Sequence, residues 1–462
     1  MTRTLLAALL FTTAAVPALA EDAPASAQPK AKNVILFIGD GMGISTITAA
    51  RIYEAQKRGE TGEENSLSFE KFENLALVKT YNTNAQVPDS AGTATAMHSG
   101  IKTRIGVLGI GPDAEKGVCK DALAHPLPLL GEEVKRRGLA LGIVTTTRIT
   151  HATPASVYSR SADRDWEADS NIPAGQQGQG CKDIALQLSE ASFDVALGGG
   201  TSVFYGKEQG GRRSDPAADL PATWAAKNGG VVVKDTAALM AAPMDKPVLG
   251  LFNSGHMNFM AERKPDSTEP TLTDMTAQAI ARLKADPDGF YLMVEGGRID
   301  HAHHAGQAGF ALEETAEFAR AVQWAVDHTD PAETLILVTA DHSHVFTIAG
   351  YPKRGNDILG LVVPPKGTGE DGGDGTSPLL AADGKPYTTL GYANGPGAVS
   401  GERPLPQTGI TARQQSLVPT GSETHGGEDV ALFATGPGAT RVRGVIEQNL
   451  IYTIIRKALG WE

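Results

Sequence analysis

The sequence predicts an α/β fold, with a central, mostly parallel sheet and helices on both faces. Runs of apolar, β-branched residues alternate with segments of helical periodicity, which is typical of strands joined by crossover helices. The strand-like runs are continuously apolar, which indicates strands that are buried on both faces. The composition agrees, since 41% of the 462 residues are hydrophobic and 20% are charged, as in globular proteins.

The elements follow from these two patterns in chain order. The predicted strands are 34–38, 139–146, 195–197, 231–233, 248–252, 290–294, 334–339 and 430–434. The predicted helices are 45–57, 128–137, 272–285, 310–328 and 445–459. Residues 351–421 are rich in Gly and Pro and lack periodicity. Because structureless loops of this length are uncommon in compact domains, this stretch is predicted to be a late inserted subdomain.

The amino terminus predicts export. Residues 1–20 carry one Arg, an apolar run over 5–11 and the cleavage-type sequence Ala18-Leu19-Ala20, which together indicate a secretory signal. Residues 21–32 are predicted to be a flexible leader, and 33–462 the folded domain. Export implies a periplasmic or extracellular location. No later segment is apolar for long enough to span a membrane, so no membrane span is expected.

The net charge excludes one class of function, and the cysteine content predicts one disulfide. The formal net charge is −12 and no basic block occurs, which argues against a protein that binds nucleic-acid backbones. The two cysteines, Cys119 and Cys181, would form one disulfide in an oxidising compartment, and two buried free thiols are the alternative.

Side chains that bind metals cluster where the predicted strands end, or just before strand 430–434. Because the carboxyl ends of parallel strands line one crevice, we expect these side chains to lie together. Any one of them could instead be a helix cap or a buried polar group, but seven of the eleven histidines fall in four short segments. Imidazole with carboxylate suits Zn²⁺, whereas oxygen ligands suit Mg²⁺ or Ca²⁺. The candidates are Asp40, His151, Glu295, Asp300, His301, His303, His304, Asp341, His342, His344 and His425.

Spacing refines this metal-site hypothesis. Asp300 and His304 are four residues apart, so a helical turn would point both to one side. Asp341 and His342 are adjacent, and both can reach one metal only from an irregular turn, which a strand exit offers.

Ser90 is the candidate nucleophile. It precedes a run of small residues that indicates a closely packed helix start, where the helix dipole favours an alkoxide. Asp89-Ser90 is also an ordinary helix-capping pair, and the spacing alone slightly favours that alternative.

Six segments resemble the alkaline phosphatase family, and most closely its animal and marine-bacterial branch. They occur in the family's order between residues 37 and 433 and are FIGDGMG, VPDSAGTATA, TTTRITHATPA, VEGGRIDHAHH, VTADHSHVF and ETHGGEDVALF. The resemblance implies hydrolysis of small phosphate monoesters to an alcohol and phosphate, through a phosphoserine at Ser90 and with an alkaline optimum. It also implies two zinc ions and one magnesium ion.

The resemblance assigns these ions to residues. Asp300, His304 and His425 would hold the first zinc, and Asp40, Asp341 and His342 the second. Asp40 would be shared with magnesium, whose protein ligands are completed by Thr153 and Glu295. Arg164 would hold two phosphate oxygens in a bidentate fork. His151 would reach magnesium through water and His301 would contact the phosphate or its water, while His303 and His344 receive no firm role.

The same resemblance implies a Cys119–Cys181 bridge and a homodimer with the insertion at its surface. A calcium site is not assigned, because Asn253 stands where the animal branch has a carboxylate, although Glu269 retains one. Two other functions compete: a phosphodiesterase or sulfatase of the same superfamily, and a non-catalytic exported protein that binds phosphate or metal. The residues around Ser90 lack the sulfatase motif C/S-x-P-x-R, and diesterases of the superfamily mostly use a Thr nucleophile.

Overall fold

Ten strands form one large sheet. The computed structural model describes residues 30–368 and 373–461, so the predicted signal and most of the predicted leader lie outside the described residues. The strands are β1 (Asn33–Gly39), β2 (Asn74–Lys79), β3 (Ala140–Arg148), β4 (Val195–Gly199), β5 (Val231–Val233), β6 (Val248–Leu251), β7 (Phe290–Gly296), β8 (Thr334–Ala340), β9 (Ser343–His344), β10 (Phe346–Ile348), β11 (Leu390–Gly395), β12 (Ser416–Pro419), β13 (His425–Gly426), β14 (Val430–Thr435) and β15 (Gly444–Glu447).

Thirteen α-helices accompany the strands in the described part of the chain. They are α1 (Ile44–Gln56), α2 (Ser90–Ser99), α3 (Cys119–Ala124), α4 (Leu130–Arg136), α5 (Ala152–Ala155), α6 (Ile184–Glu190), α7 (Thr201–Phe204), α8 (Leu220–Asn228), α9 (Thr236–Ala241), α10 (Leu272–Leu283), α11 (Arg298–His304), α12 (Ala308–His328) and α13 (Leu450–Ala458). Short 3-10 helices occur at Ser68–Lys71, Asp169–Asn171, Lys207–Gln209, Met260–Glu262 and Ala439–Arg441. None of the described helices is long and apolar enough to cross a membrane.

The large sheet has the order β15-β2-β14-β8-β1-β7-β3-β4-β6-β5. Its described strands run in one direction except β14, which is antiparallel to both β8 and β2. In register, Leu432 of β14 lies opposite Thr339 on one side and Ala76 on the other. The predicted mostly parallel sheet is therefore confirmed.

Helices cover both faces of this sheet. One group contains α1, α10 and α12, and a second contains α2, α4, α5 and α13, and helices of both groups pack against the central strands. Phe318 of α12 contacts Phe37 of β1 edge-to-face, with ring centroids 5.8 Å apart. The central strands β1, β7 and β8 are almost fully buried, which explains their continuously apolar sequences.

The sheet edge differs from the prediction. The predicted helix over 445–459 is wrong in its first part, because Gly444–Glu447 forms β15 alongside β2 and the helix begins only at Leu450. The partner strand β2 was not predicted, since Leu75 and Leu77 are exposed and only Ala76 and Val78 are buried. A β-branched pair, Val445-Ile446, adopts the strand once β2 is available to pair with it.

The predicted insertion contributes a small separate sheet. Within 351–421, β11 pairs with β12, and β11 also pairs with β10, which lies just before this stretch. The hydroxyl of Tyr392 lies 2.8 Å from His303 Nδ1, and Gln414 accepts a hydrogen bond from the backbone N–H of Ala308. The insertion is thus fastened to the start of α12 and to α11. Elsewhere, Cys119 and Cys181 form the predicted disulfide, with Cα atoms 5.7 Å apart.

Candidate active site

The predicted ligands lie at the carboxyl edge of the large sheet. Asp40 follows β1, Glu295 lies at the end of β7, and Asp341 follows β8. Because β14 is antiparallel, it begins at the edge where its neighbours end, which brings in His425 from β13 just before it. The reversed strand therefore supplies a late residue to a site that is otherwise built by parallel strands.

The first group of side chains contains Asp300, His304, His344 and His425, whose potential ligand atoms lie within 4.8 Å of one another. Helix α11 presents Asp300 and His304 on one side, with His304 Nε2 3.2 Å from Asp300 Oδ1. His425 Nε2 lies 3.3 Å from the same oxygen. The side chains of His304 and His425 keep 29% and 14% of their surface exposed, so this group opens toward solvent.

His344 differs from the other members of this group. Its Nε2 is 2.9 Å from Asp300 Oδ1 and its Nδ1 is 2.5 Å from Glu423 Oε2. Burial alone would lower the pKa of His344, but the hydrogen bonds to Asp300 and Glu423 outweigh it and raise that pKa to about 9. Because both ring nitrogens of His344 are engaged by carboxylates, this arrangement suits a residue that orients Asp300 more than one that binds a metal itself.

His303, the other histidine without a firm role, faces away from these ligand atoms. Its Nε2 is 3.0 Å from the hydroxyl of Thr46, and its Nδ1 is paired with Tyr392 of the insertion. Its two ring nitrogens therefore connect α1, α11 and the insertion.

The second group, Asp40, Asp341 and His342, is completely buried. His342 Nε2 lies 3.3 Å from Asp40 Oδ1 and 3.3 Å from Asp341 Oδ2. The irregular turn expected after β8 is present and points both adjacent side chains inward. The turn after β1 approaches this group closely at Gly41, whose backbone N–H donates to Asp341 Oδ1 at 3.0 Å. The φ of Gly41 is +70°, and a Cβ there would lie 2.3 Å from the His344 ring, so only glycine fits this position.

Ser90 faces the second group. Its hydroxyl oxygen is 3.1 Å from His342 Nε2 and 3.4 Å from Asp40 Oδ1. Asp89 is the cap of α2, accepting a hydrogen bond from the backbone N–H of Gly92. Because Asp89 fills the capping role, Ser90 is free to present its hydroxyl to the ligand groups at the helix N-terminus.

A third group contains Asp40, His151 and Glu295. Thr153 of α5 adds a hydroxyl 3.4 Å from Asp40 Oδ2. Glu295 accepts hydrogen bonds from the hydroxyls of Thr145 and Thr147, and its other oxygen is buried without a hydrogen-bond partner. The oxygen-rich donor set and the orphaned carboxylate oxygen both fit a hard cation such as Mg²⁺.

Charge repulsion between these carboxylates supports cation binding. Burial raises the pKa of Asp40 well above its usual value, and the neighbouring Asp341, Asp300 and Glu295 add to this shift. Burial also raises the pKa of Glu295 to about 7. Buried anions at such short range are stable only when protonated or when paired with cations. The residues therefore fit divalent ions, and the first and second groups, which pair imidazole with carboxylate, are suited to zinc.

Arg164 lies beside this site. Its Nη1 donates to Asp89 Oδ2 at 3.0 Å, and its Nη2 donates to His151 Nε2 at 3.1 Å. Asp89 thus caps α2 and also holds Arg164 close to Ser90. His301, the other predicted phosphate contact, accepts from Arg298 through Nδ1 at 3.1 Å.

His256 is a site residue that the sequence reasoning missed. It lies in one group with His151 and His301, and its ring centroid is 4.1 Å from that of His301. Arg148, at the end of β3, lies against its ring and also pairs with Glu167. Because His256 follows β6 closely, the strand-end rule that selected the other candidates could have found it.

Asn253 and Glu269, the two residues considered for a calcium site, are hydrogen-bonded to each other. Asn253 Nδ2 donates to Glu269 Oε1 at 2.6 Å, and the guanidinium of Arg263 lies 3.5 Å from Glu269 Oε2. The one carboxylate retained there is therefore paired with a protein cation.

Comparison with known proteins identifies the family of the chain. The family model for alkaline phosphatase matches residues 31–461, nearly all of the chain. The chain belongs to the alkaline phosphatase family. The curated tissue-nonspecific alkaline phosphatase of Homo sapiens is 44% identical over 447 residues, covering 91% of this chain and 82% of that protein. The alkaline phosphatase of Gadus morhua is 42% identical and covers 91% and 90% of the two chains.

Solved structures agree with the fold. The alkaline phosphatase of Thermus thermophilus superposes with a TM-score of 0.68 at 24% identity, covering 97% of this chain and 96% of that one. The enzyme of the Antarctic bacterium TAB5 gives a TM-score of 0.64 at 24% identity, with 94% and 99% covered. The predicted alkaline phosphatase-like fold is confirmed, and the curated relatives show that the chain has alkaline phosphatase activity, the hydrolysis of phosphate monoesters.

Proposed function

We propose that this alkaline phosphatase works through a phosphoserine at Ser90, with two zinc ions and one magnesium ion bound at the sheet edge. The observation that carries the proposal is the position of the Ser90 hydroxyl, 3.1 Å from His342 and 3.4 Å from Asp40. A helix cap alone would not need to face a buried group of metal ligands, and Asp89 already supplies the cap.

The ligands divide among the ions by donor chemistry. Asp300, His304 and His425 would hold one zinc, and Asp40, Asp341 and His342 the other. Asp40, Thr153 and Glu295 would hold magnesium, with His151 beside it. When bound, these ions would favour the ionised forms of a serine hydroxyl and a water and would stabilise the oxygen that leaves.

The side chains then perform a two-step transfer. In the first step the Ser90 hydroxyl gives its proton to solvent and its oxygen forms a bond to phosphorus, while the bond to the ester oxygen breaks and the alcohol leaves with a proton from solvent. In the second step a water gives one proton to solvent and its oxygen bonds to phosphorus, while the bond to Ser90 breaks, phosphate is released and the Ser90 oxygen regains a proton. Arg164, held by Asp89 beside the helix N-terminus, would bind the phosphoryl oxygens in both steps. His301 would contact the phosphate or its water, and His151 would reach the magnesium ion through water.

We propose an alkaline optimum, because the reactive forms of serine and water are deprotonated. Recognition would rest on the phosphoryl group, so small monoesters with different alcohols should all be substrates.

The decisive variant is Ser90→Ala. We expect the turnover of 4-nitrophenyl phosphate to fall at least about a thousandfold, because the nucleophile is lost. No phosphoenzyme should be trapped on acid quenching with labelled phosphate. Ser99→Ala, at the other end of the same helix, is the matched control and should keep turnover and trapping. Retention of full turnover by Ser90→Ala would refute the phosphoserine proposal.

Diester hydrolysis is the competing chemistry, and the same preparation tests it. The wild-type enzyme should hydrolyse 4-nitrophenyl phosphate much faster than bis(4-nitrophenyl) phosphate. A reversed preference would assign the site to diesters instead.

We also propose that the chain is exported and forms a homodimer. Export is supported by the sequence of residues 1–20 and by the Cys119–Cys181 disulfide, which suits an oxidising compartment. The dimer rests on the family resemblance of the 351–421 insertion. Fractionation with sequencing of the mature amino terminus, and light scattering of the purified protein, test the two parts separately.

A further inference from the structure

A buried histidine outside the groups described above links three elements of the site. His98 lies in the last turn of α2, the helix that begins with Ser90, and none of its surface is exposed. We propose that His98 is a positioning residue: it fixes α2 against α5, which carries Thr153, and against β7, which carries Glu295. This inference rests on the proposed function, since its effect is exerted through Ser90 and the magnesium ligands.

The hydrogen bonds of His98 have a single consistent direction. Nδ1 lies 3.1 Å from the carbonyl oxygen of Ala94, which can only accept, so Nδ1 carries the proton. Nε2 therefore accepts, and the hydroxyl of Tyr291, 2.9 Å away, donates to it. The single Nδ1–H is shared with the hydroxyl oxygen of Ser156, 2.8 Å away, and this hydroxyl itself donates to the carbonyl of Thr153 at 2.7 Å.

The resulting chain runs from Tyr291 to His98, then to Ser156 and on to Thr153. Tyr291, His98, Ser156 and Thr153 are all fully buried, so water cannot replace a missing partner. Burial lowers the pKa of His98 to about 4, which keeps the ring neutral and preserves this direction at neutral and alkaline pH.

The geometry explains why such a link matters here. Helix α5 has only four residues, Ala152–Ala155, too few to hold a fixed position by its own hydrogen bonds. Ser156 is its C-terminal cap residue, and the hydroxyl of Ser156 is held by His98. Tyr291 lies on the same strand as Glu295, four residues earlier. One imidazole thus sets the position of the nucleophile helix relative to two magnesium ligands on separate elements.

The test compares His98→Leu with His98→Gln, which restores one donor and one acceptor. In His98→Leu we expect kcat for 4-nitrophenyl phosphate to fall about tenfold with KM nearly unchanged, because Ser90 shifts relative to the opposite ligands. Calorimetric Mg²⁺ titration of the zinc-loaded enzyme should show about tenfold weaker binding. His98→Gln should recover part of both losses.

The matched control is Tyr53→Phe, which removes another buried hydrogen bond, the 2.7 Å contact of the Tyr53 hydroxyl with Glu313 between α1 and α12. It should lower the melting temperature and leave kcat and Mg²⁺ affinity unchanged. If His98→Leu behaves like this control, His98 is only structural and the inference is wrong. If His98→Leu does not fold, Tyr291→Phe and Ser156→Ala, each removing one link, must show the kcat and Mg²⁺ losses.

Failure of the proposed function would look different. Turnover that survives in Ser90→Ala overturns the phosphoserine mechanism, whatever the Mg²⁺ titrations of the His98 variants give. Wild-type-like Mg²⁺ affinity and kcat in every folded variant of this chain of hydrogen bonds overturns only the role of His98.

Discussion

Two sets of buried carboxylates occupy this molecule, and they are neutralised in different ways. Helix α12 buries Glu313, Glu314 and Glu317, while the carboxyl edge of the sheet buries the set Asp40, Glu295, Asp300 and Asp341. The two sets show what distinguishes an acid that stabilises the fold from an acid that binds a metal.

The acids of α12 have protein partners. Glu313 accepts hydrogen bonds from Lys57 at 2.6 Å and from Tyr53 at 2.7 Å. Burial alone would raise the pKa of Glu313, but these hydrogen bonds outweigh it and lower that pKa. Glu317 pairs with Arg320 at 2.8 Å. The charges of Glu313 and Glu317 are thus balanced within the chain and need no ion, whereas burial raises the pKa of Glu314 and favours its protonated form.

The acids at the sheet edge lie close enough to repel one another. Among the described residues, the ion pairs of Asp40, Asp300 and Asp341 are with histidines, and Glu295 has none. The pKa values of Asp40, Glu295 and Asp341 are raised, and burial is the largest cause for each. Asp300 differs from these three: burial alone would raise its pKa, but the neighbouring His304, His344 and His425 outweigh it and lower that pKa. Asp40, Glu295 and Asp341 are balanced only when cations are added from outside, which is what a metal centre requires.

Removal of metal by a chelator should produce the largest difference between the two sets of acids. Exhaustive treatment with a chelator should reduce the hydrolysis of 4-nitrophenyl phosphate to background, because the edge carboxylates lose their counter-ions. Readdition of zinc and then magnesium should restore it, with metal content measured in parallel. Full turnover in protein shown to lack bound metal would contradict the comparison.

Single neutralising substitutions should have opposite effects on the two sets. Asp341→Asn should lower kcat/KM about a hundredfold or more through weakened metal binding. It should also leave the metal-free protein as stable as wild type or more stable, because repulsion with Asp40 is relieved.

Glu313→Gln is the counterpart on α12. It should keep kcat/KM and lower the free energy of unfolding by about 1–3 kcal/mol, because Lys57 and Tyr53 lose a charged acceptor. Urea unfolding with and without metal measures both variants. Equal losses of metal-free stability in the two would remove the distinction.

Glu314 gives a pH-dependent test. Burial raises its pKa from 4.5 to about 7. Its contribution to stability is therefore fully present below pH 4.5 and is lost as the pH rises to about 7, a change of roughly 3 kcal/mol. In chelator, wild type should lose stability relative to Glu314→Gln across this window. A pH-independent difference between the two proteins would show that Glu314 stays ionised.

The smallest effect is expected at His344, which is hydrogen-bonded to Asp300 and Glu423. His344→Asn should weaken the binding of one zinc about tenfold, because Asp300 loses the donor that orients it. Competition with a chromophoric chelator measures this affinity. Loss of a whole zinc equivalent would mean that His344 is a direct ligand.

Sequence reasoning succeeded where local pattern and tertiary environment agree. The central strands β1, β7 and β8 are apolar because they are buried on both faces, so their sequences reveal them. Their carboxyl ends had to meet at one edge, which brought Asp40, Glu295 and Asp341 together.

Sequence reasoning failed where a partner that is distant in the sequence determines the local structure or the role of a residue. Strand β15 exists because β2 lies beside it, and β2 is half exposed, so neither segment carries a strong pattern. The role of His344 depends on Glu423 and Asp300, which no spacing connects. His98 stands alone among small residues, and its partners Tyr291 and Ser156 lie 193 and 58 positions away.

The reversed strand β14 couples the integrity of the sheet to that of the site. It is the neighbour that joins β2, formed by residues 74–79, to β8 and so to the rest of the sheet, although β2 and β14 lie far apart in the sequence. The short segment before β14 carries His425 to the group that contains Asp300 and His304. A substitution that displaces β14 should therefore loosen one edge of the sheet and disturb the candidate metal ligands together.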